Sequence, residues 1–160
     1  MASAETAAIV EREVYIEASP ETVYDFFVDP DRMIQWMGRK AELDPRPGGT
    51  FRVDLNGRHI SRGEYVELDP PHRLVFTWGW EASGGEQSAV PPGSSTIEVE
   101  LTPEGEGTRL NFVHRDLPGT KETESHAHGW DHYLPRLEIV AAGGDPGEDP
   151  WLSQDMESTT

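Results

Sequence analysis

Apolar residues recur at every second position soon after the chain begins. In AIVEREVYIEA, residues 8–18, Val10, Arg12, Val14 and Ile16 fall on one side and Glu11, Glu13, Tyr15 and Glu17 on the other. That period of two predicts a half-buried strand. It stops at Ser19-Pro20-Glu21-Thr22, where Ser19 can cap a helix and Pro20 suits its first turn. The helix then turns Val23, Phe26 and Phe27 inward. Asp29-Pro30-Asp31 interrupts it and starts a second short helix with Met33, Ile34, Trp36 and Met37 as its apolar residues.

After the turn cluster Pro45-Arg46-Pro47-Gly48-Gly49 the alternation becomes strand after strand. Phe51, Val53 and Leu55 share a face, and Asn56-Gly57 signals a hairpin. The returning strand, HISRGEYVELD, closes at Asp69-Pro70-Pro71-His72. RLVFTWGW sets Leu74, Phe76, Trp78 and Trp80 on one side. A Gly-, Ser- and Pro-rich loop from Glu81 to Ser95 leads to TIEVELTP with Ile97, Val99 and Leu101 inward. Beyond Glu104-Gly105-Glu106-Gly107, TRLNFVHRDL places Leu110, Phe112 and His114 on one face. Short links between such strands imply an antiparallel meander.

The last element reads as a helix from near Lys121 to Ala142, with Trp130, Tyr133, Leu137 and Val140 at helical spacing. Pro135 inside it predicts a kink. One strand, two short helices, further strands and a long helix define an α+β helix-grip arrangement: a curved antiparallel sheet of about six to seven strands wrapped around a C-terminal helix. Residues 8–142 form this domain, and residues 143–160 read as a flexible acidic tail in which Trp151 and Leu152 are able to dock on the body or on a neighbouring subunit.

Charge narrows the partners. Thirteen Lys and Arg against 30 Asp and Glu give a formal net charge of -17. Such a surface repels phosphate backbones and anionic lipid, so neither nucleic acid nor a membrane is an expected partner. With no cysteine there is no disulfide, thiolate site or thiol nucleophile, and the chain shows neither a basic-then-apolar leader nor a long apolar run. A cytoplasmic location is expected. Either a monomer or a homodimer joined through an exposed strand edge fits the pattern.

Several separated stretches, VYIEASPETVYDFFVDPDRMIQWMG (14–38), GGTFRV (48–53), GEYVELDPPHRLVFTW (63–78), HRDLP (114–118) and SHAHGWDHYLPRLE (125–138), resemble the activator of heat-shock protein 90 ATPase homologue family. That family belongs to the START-like (SRPBCC) superfamily. The resemblance spans residues 8 to 142 and implies the helix-grip fold, with a chaperone as partner and a role in stress response among the functions. The superfamily also includes lipid carriers, ligand-binding proteins, polyketide cyclases and oxygenase subunits, and fold does not settle function. The chain departs from the pattern in three places. The eukaryotic activators carry an additional domain before the helix-grip unit, and none is expected here. Pro135 stands where a good helix former is usual, and His128 where an acid is common.

The residues that carry candidate chemistry face the space between sheet and helix. Trp36, Phe51, Phe76, Trp78, Phe112, Trp130 and Tyr133, with Trp80 beside them, either fill a core or line an apolar cavity. His114 on the last strand and His126, four residues before Trp130, are expected to meet across that space. They are either hydrogen-bonded core histidines or groups that orient a ligand oxygen or move a proton. His128 and His132 have an i, i+4 spacing on the outer helix face, where a solvated surface explains them better than a metal. Glu67 becomes a buried acid if it shares its side of the strand with Tyr65. No phosphate loop or nucleophile elbow is present.

Three functions follow from these positions. The first is binding of a small, largely apolar molecule by Trp36, Phe51, Phe76, Trp78, Phe112, His114, His126, Trp130 and Tyr133, without metal or cofactor. The second, implied by the resemblance, is a chaperone-associated protein acting through its surface. The third is a cyclase- or hydrolase-type enzyme with His114 or His126 as base.

Overall fold

The computed structural model describes residues 9–82 and 88–152. Ala8, the centre of the Glu81–Ser95 loop and residues 153–160 of the expected tail lie outside them. Seven strands, β1 (Val10–Ile16), β2 (Lys40–Leu43), β3 (Thr50–Asp54), β4 (Ile60–Asp69), β5 (Arg73–Trp78), β6 (Ser95–Glu104) and β7 (Gly107–Arg115), form one antiparallel sheet in the order β1-β7-β6-β5-β4-β3-β2. Helices α1 (Pro20–Val28) and α2 (Pro30–Met33) follow β1, and α3 (Gly119–Ala141) follows β7. This is the helix-grip architecture the alternation predicts.

Local signals explain the starts. The Ser19 hydroxyl accepts from the Thr22 amide at 3.3 Å with Pro20 in the first turn, and the Asp29 carboxylate accepts from the Asp31 amide at 2.9 Å to start α2. β2 is a strand that the hydrophobic pattern leaves unread. Its four residues, KAEL, are too few to display a period. Gly38, with φ of 84°, turns the chain into it.

The register builds one apolar face. Ile97 stands opposite His114, Val99 opposite Phe112, Leu101 opposite Leu110, and Phe76 opposite both Ile97 and Tyr65. That face, together with Phe26, Phe27, Met33, Trp36 and the inward side of α3, makes a single core cluster. Arg12 lies on the inward side of β1 but extends to the helix, where its guanidinium donates twice to the Asp131 carboxylate, at 2.7 and 3.1 Å.

Glu67 requires a correction. Tyr65 pairs with Phe76 and Glu67 with Val75, so Val66 is an extra residue bulged out of β4. The bulge resets the alternation: Ser61, Gly63 and Tyr65 point in, while Val66 and Glu67 both point out. Glu67 is therefore no buried acid; its carboxylate accepts from Arg73 at 3.1 Å on the outer sheet face.

Pro135 lies inside α3, and the helix continues through it to Ala141. The position is exposed, so water can serve the carbonyl that a proline leaves without a donor. No helix among the described residues is long and apolar enough to cross a membrane.

Candidate functional site

Two indole–imidazole pairs connect α3 to the sheet. The Trp130 indole N–H donates to His114 Nδ1 at 3.0 Å. That leaves the His114 proton on Nε2, which lies 2.9 Å from the Ser95 hydroxyl, and Ser95 in turn donates to the Trp78 carbonyl at 2.9 Å. In the second pair the Trp80 indole donates to His126 Nε2 at 3.0 Å, and His126 Nδ1 donates to the Glu122 carbonyl at 2.7 Å. The two imidazoles stand edge to face, 5.1 Å between centroids. The expected meeting of His114 and His126 is thus found, although each binds a tryptophan rather than the other.

Both rings are held neutral. Desolvation lowers the pKa of His114 well below its ordinary value, with proximity of His126 a further cause. Desolvation also lowers that of His126, against the opposing pull of the Glu122 carbonyl and carboxylate. All four ring nitrogens already have partners, so neither imidazole presents the free lone pair a general base requires in this arrangement.

Around these pairs the aromatic rings form a continuous group. Phe51 stacks on Phe76 at 4.3 Å, Trp78 lies 5.1 Å from Trp130, Phe112 4.6 Å from Trp130, and Tyr133 6.4 Å from Trp130. Phe51 reaches Trp78 at 6.0 Å, which joins the two halves. Trp36 sits apart, edge-on to Phe27 at 5.4 Å with its indole donating to the Phe26 carbonyl. Eight of the nine predicted residues are therefore gathered in one place, and the ninth, Trp36, is on the stretch that follows α2.

The unusual member is Trp78. It is 2% exposed, and its indole N–H has no acceptor among the described residues; the Ser61 hydroxyl, also on the inward face, is in the same state. A buried donor without a partner costs about 1–3 kcal/mol. Ser61 and Ser95 are participants that the sequence pattern does not reveal, because nothing local distinguishes them from strand serines elsewhere.

On the outer face of α3, His128 is exposed, as expected, whereas His132 is half-buried. Trp151 covers His132, stacked on it at 3.7 Å and 5.6 Å from the His128 ring, and His132 Nε2 donates to the buried Asp149 carboxylate at 2.8 Å. Among the described residues no group of three or more His, Asp or Glu is arranged to hold a metal.

A sheet gripping a long helix over a buried aromatic face defines a helix-grip protein of the START-like class. A family model described as Activator of Hsp90 ATPase homolog 1-like protein matches residues 17–142, and the chain belongs to that family. An AHSA1-like protein from Rhizobium etli, solved by NMR, is 41% identical, with 92% of this chain and 89% of that one covered at a TM-score of 0.70. An HSP90 activator from Plasmodium falciparum is 23% identical over 83% of this chain and 95% of that one, with a TM-score of 0.66, and shares the fold. An uncharacterized protein of Schizosaccharomyces pombe is 25% identical over 140 residues, 87% of this chain; the chain spans 38% of that relative's length.

Proposed function

We propose that the protein binds a small, largely apolar molecule between the inward sheet face and α3, with the Trp78 indole donating to an acceptor on it. The observation that carries this reading is the Trp78 N–H, buried among aromatic rings and without a partner among the described residues. A ligand oxygen placed there would recover the hydrogen bond the fold forgoes, while the rings supply apolar contact. The rings touch one another in this structure, so occupancy requires side chains or α3 to shift. Native mass spectrometry of freshly purified protein tests the reading and counts subunits. A retained small molecule supports it; bare polypeptide that also ignores added apolar compounds contradicts it.

A second reading, action on a chaperone of the Hsp90 class, is supported by the family to which the chain belongs. It predicts stimulation of the cognate chaperone's ATPase by the purified protein. Neither stimulation nor co-elution would remove it. A role as general base for His114 or His126 is opposed by the hydrogen bonds that occupy all four ring nitrogens.

A further inference from the structure

The chain returns to α3 after leaving it. Gly143, with φ of 93°, ends the helix, and the Gly144 amide donates to the Ile139 carbonyl at 2.8 Å. Asp149 is then buried at 5% exposure, with Oδ1 accepting from His132 at 2.8 Å and from the Trp151 amide at 2.9 Å. Its Oδ2 has no hydrogen-bond partner among the described residues, and the nearest cation, Arg136, stands 3.9 Å away. Trp151 lies flat on His132, the planes 11° apart, and edge-on to Tyr133 at 5.5 Å. The two hydrogen bonds to Oδ1 and the stacked ring hold the segment on α3.

Arg136 makes this anchor bear on the site. Its guanidinium donates to the Pro146 carbonyl and to the Trp36 carbonyl, each at 3.3 Å. One side chain of α3 therefore joins the returning segment to the stretch that follows α2. Tyr133, under Trp151, belongs to the ring group through Trp130. Because those rings are in mutual contact, entry of a molecule requires side chains or α3 to shift, and the returning segment braces one seam along α3.

We propose that Asp149, Trp151 and the Pro146 carbonyl form a clasp holding α3 against the Trp36 segment, and that its release limits how fast a small apolar molecule enters and leaves. This inference rests on the binding reading above. Two variants of the full chain, Trp151→Ala and Asp149→Ala, remove different halves of the clasp, and Glu148→Ala at an exposed neighbour serves as control. Hydrogen exchange of the α3 amides at 134 and 136–141 and stopped-flow uptake of the neutral probe N-phenyl-1-naphthylamine are measured on each. Loss of the bond from His132 in Asp149→Ala, and of the stacked ring in Trp151→Ala, is expected to raise exchange, uptake and release by about ten-fold in both variants, with Glu148→Ala unchanged. Equal probe kinetics in all four proteins, or exchange that does not move, would overturn the clasp and leave the binding reading standing. Failure of the probe to bind any of them would end the binding reading and the clasp's role with it.

Discussion

Acidification from pH 7.5 to 5.5 is a direct perturbation of the two indole–imidazole pairs. Burial disfavours the imidazolium form of His114 and His126 in the folded protein, so their folded pKa values lie below the unfolded value near 6.5. Below that value the unfolded chain takes up protons that the folded chain refuses, and stability falls as the pH drops through 6.5; above it the two rings make no further difference. Each unit of pH below 6.5 weakens the fold by about 1.4 kcal/mol per histidine that stays neutral. His114, the more deeply shifted, contributes close to that full amount at pH 5.5, and His126 adds up to the same, for a loss of about 1.4–2.7 kcal/mol. Glu81 and Asp131 do not obscure the effect. Hydrogen bonds from Arg52 and Arg12 hold their carboxyls below the usual range, so their own loss of stability comes at pH below about 4. Urea unfolding at pH 7.5, 6.5 and 5.5 measures the slope, and side-chain nitrogen NMR reads the tautomers directly, with His114 protonated on Nε2 and His126 on Nδ1. An imidazolium signal from His114 in the folded protein at pH 6 would refute the reasoning.

Other outcomes follow from single contacts. Trp130→Phe leaves His114 Nδ1 buried without its donor and is expected to lower stability by about 1–3 kcal/mol in urea unfolding, with the His114 tautomer no longer fixed. Leu137→Ala, at a fully buried position on α3, is expected to cost about 2–5 kcal/mol by the same assay. Glu67→Gln, outside the bulge, is expected to change stability by no more than about 0.5 kcal/mol and probe affinity not at all. A large effect on affinity would return Glu67 to the interior.

Alternation made most of the sheet legible, since β1, β3 and β5–β7 each carry apolar residues at every second position and need no tertiary information to be recognised. It failed where one residue breaks parity. The bulge at Val66 leaves no local trace, because two successive apolar residues read equally as either face. Helical spacing placed His126 and Trp130 on the same side of α3, but the hydrogen-bond partners depend on strand register, such as Ser95 opposite Trp78, which joins distant segments. The sequence allowed Trp151 to dock on the body but not its place on His132, because nothing local specifies which surface receives a lone aromatic residue; Asp149 accepts a hydrogen bond from His132 and Trp151 stacks on the same ring.

The Trp78 indole N–H tests the central claim most directly. In a proton–nitrogen spectrum of the folded protein, titration with N-phenyl-1-naphthylamine is predicted to move the Trp78 indole peak saturably, and Trp78→Phe is predicted to weaken binding while leaving stability within about 1 kcal/mol. Binding that leaves the Trp78 peak in place, with an affinity indifferent to Trp78→Phe, would contradict the account.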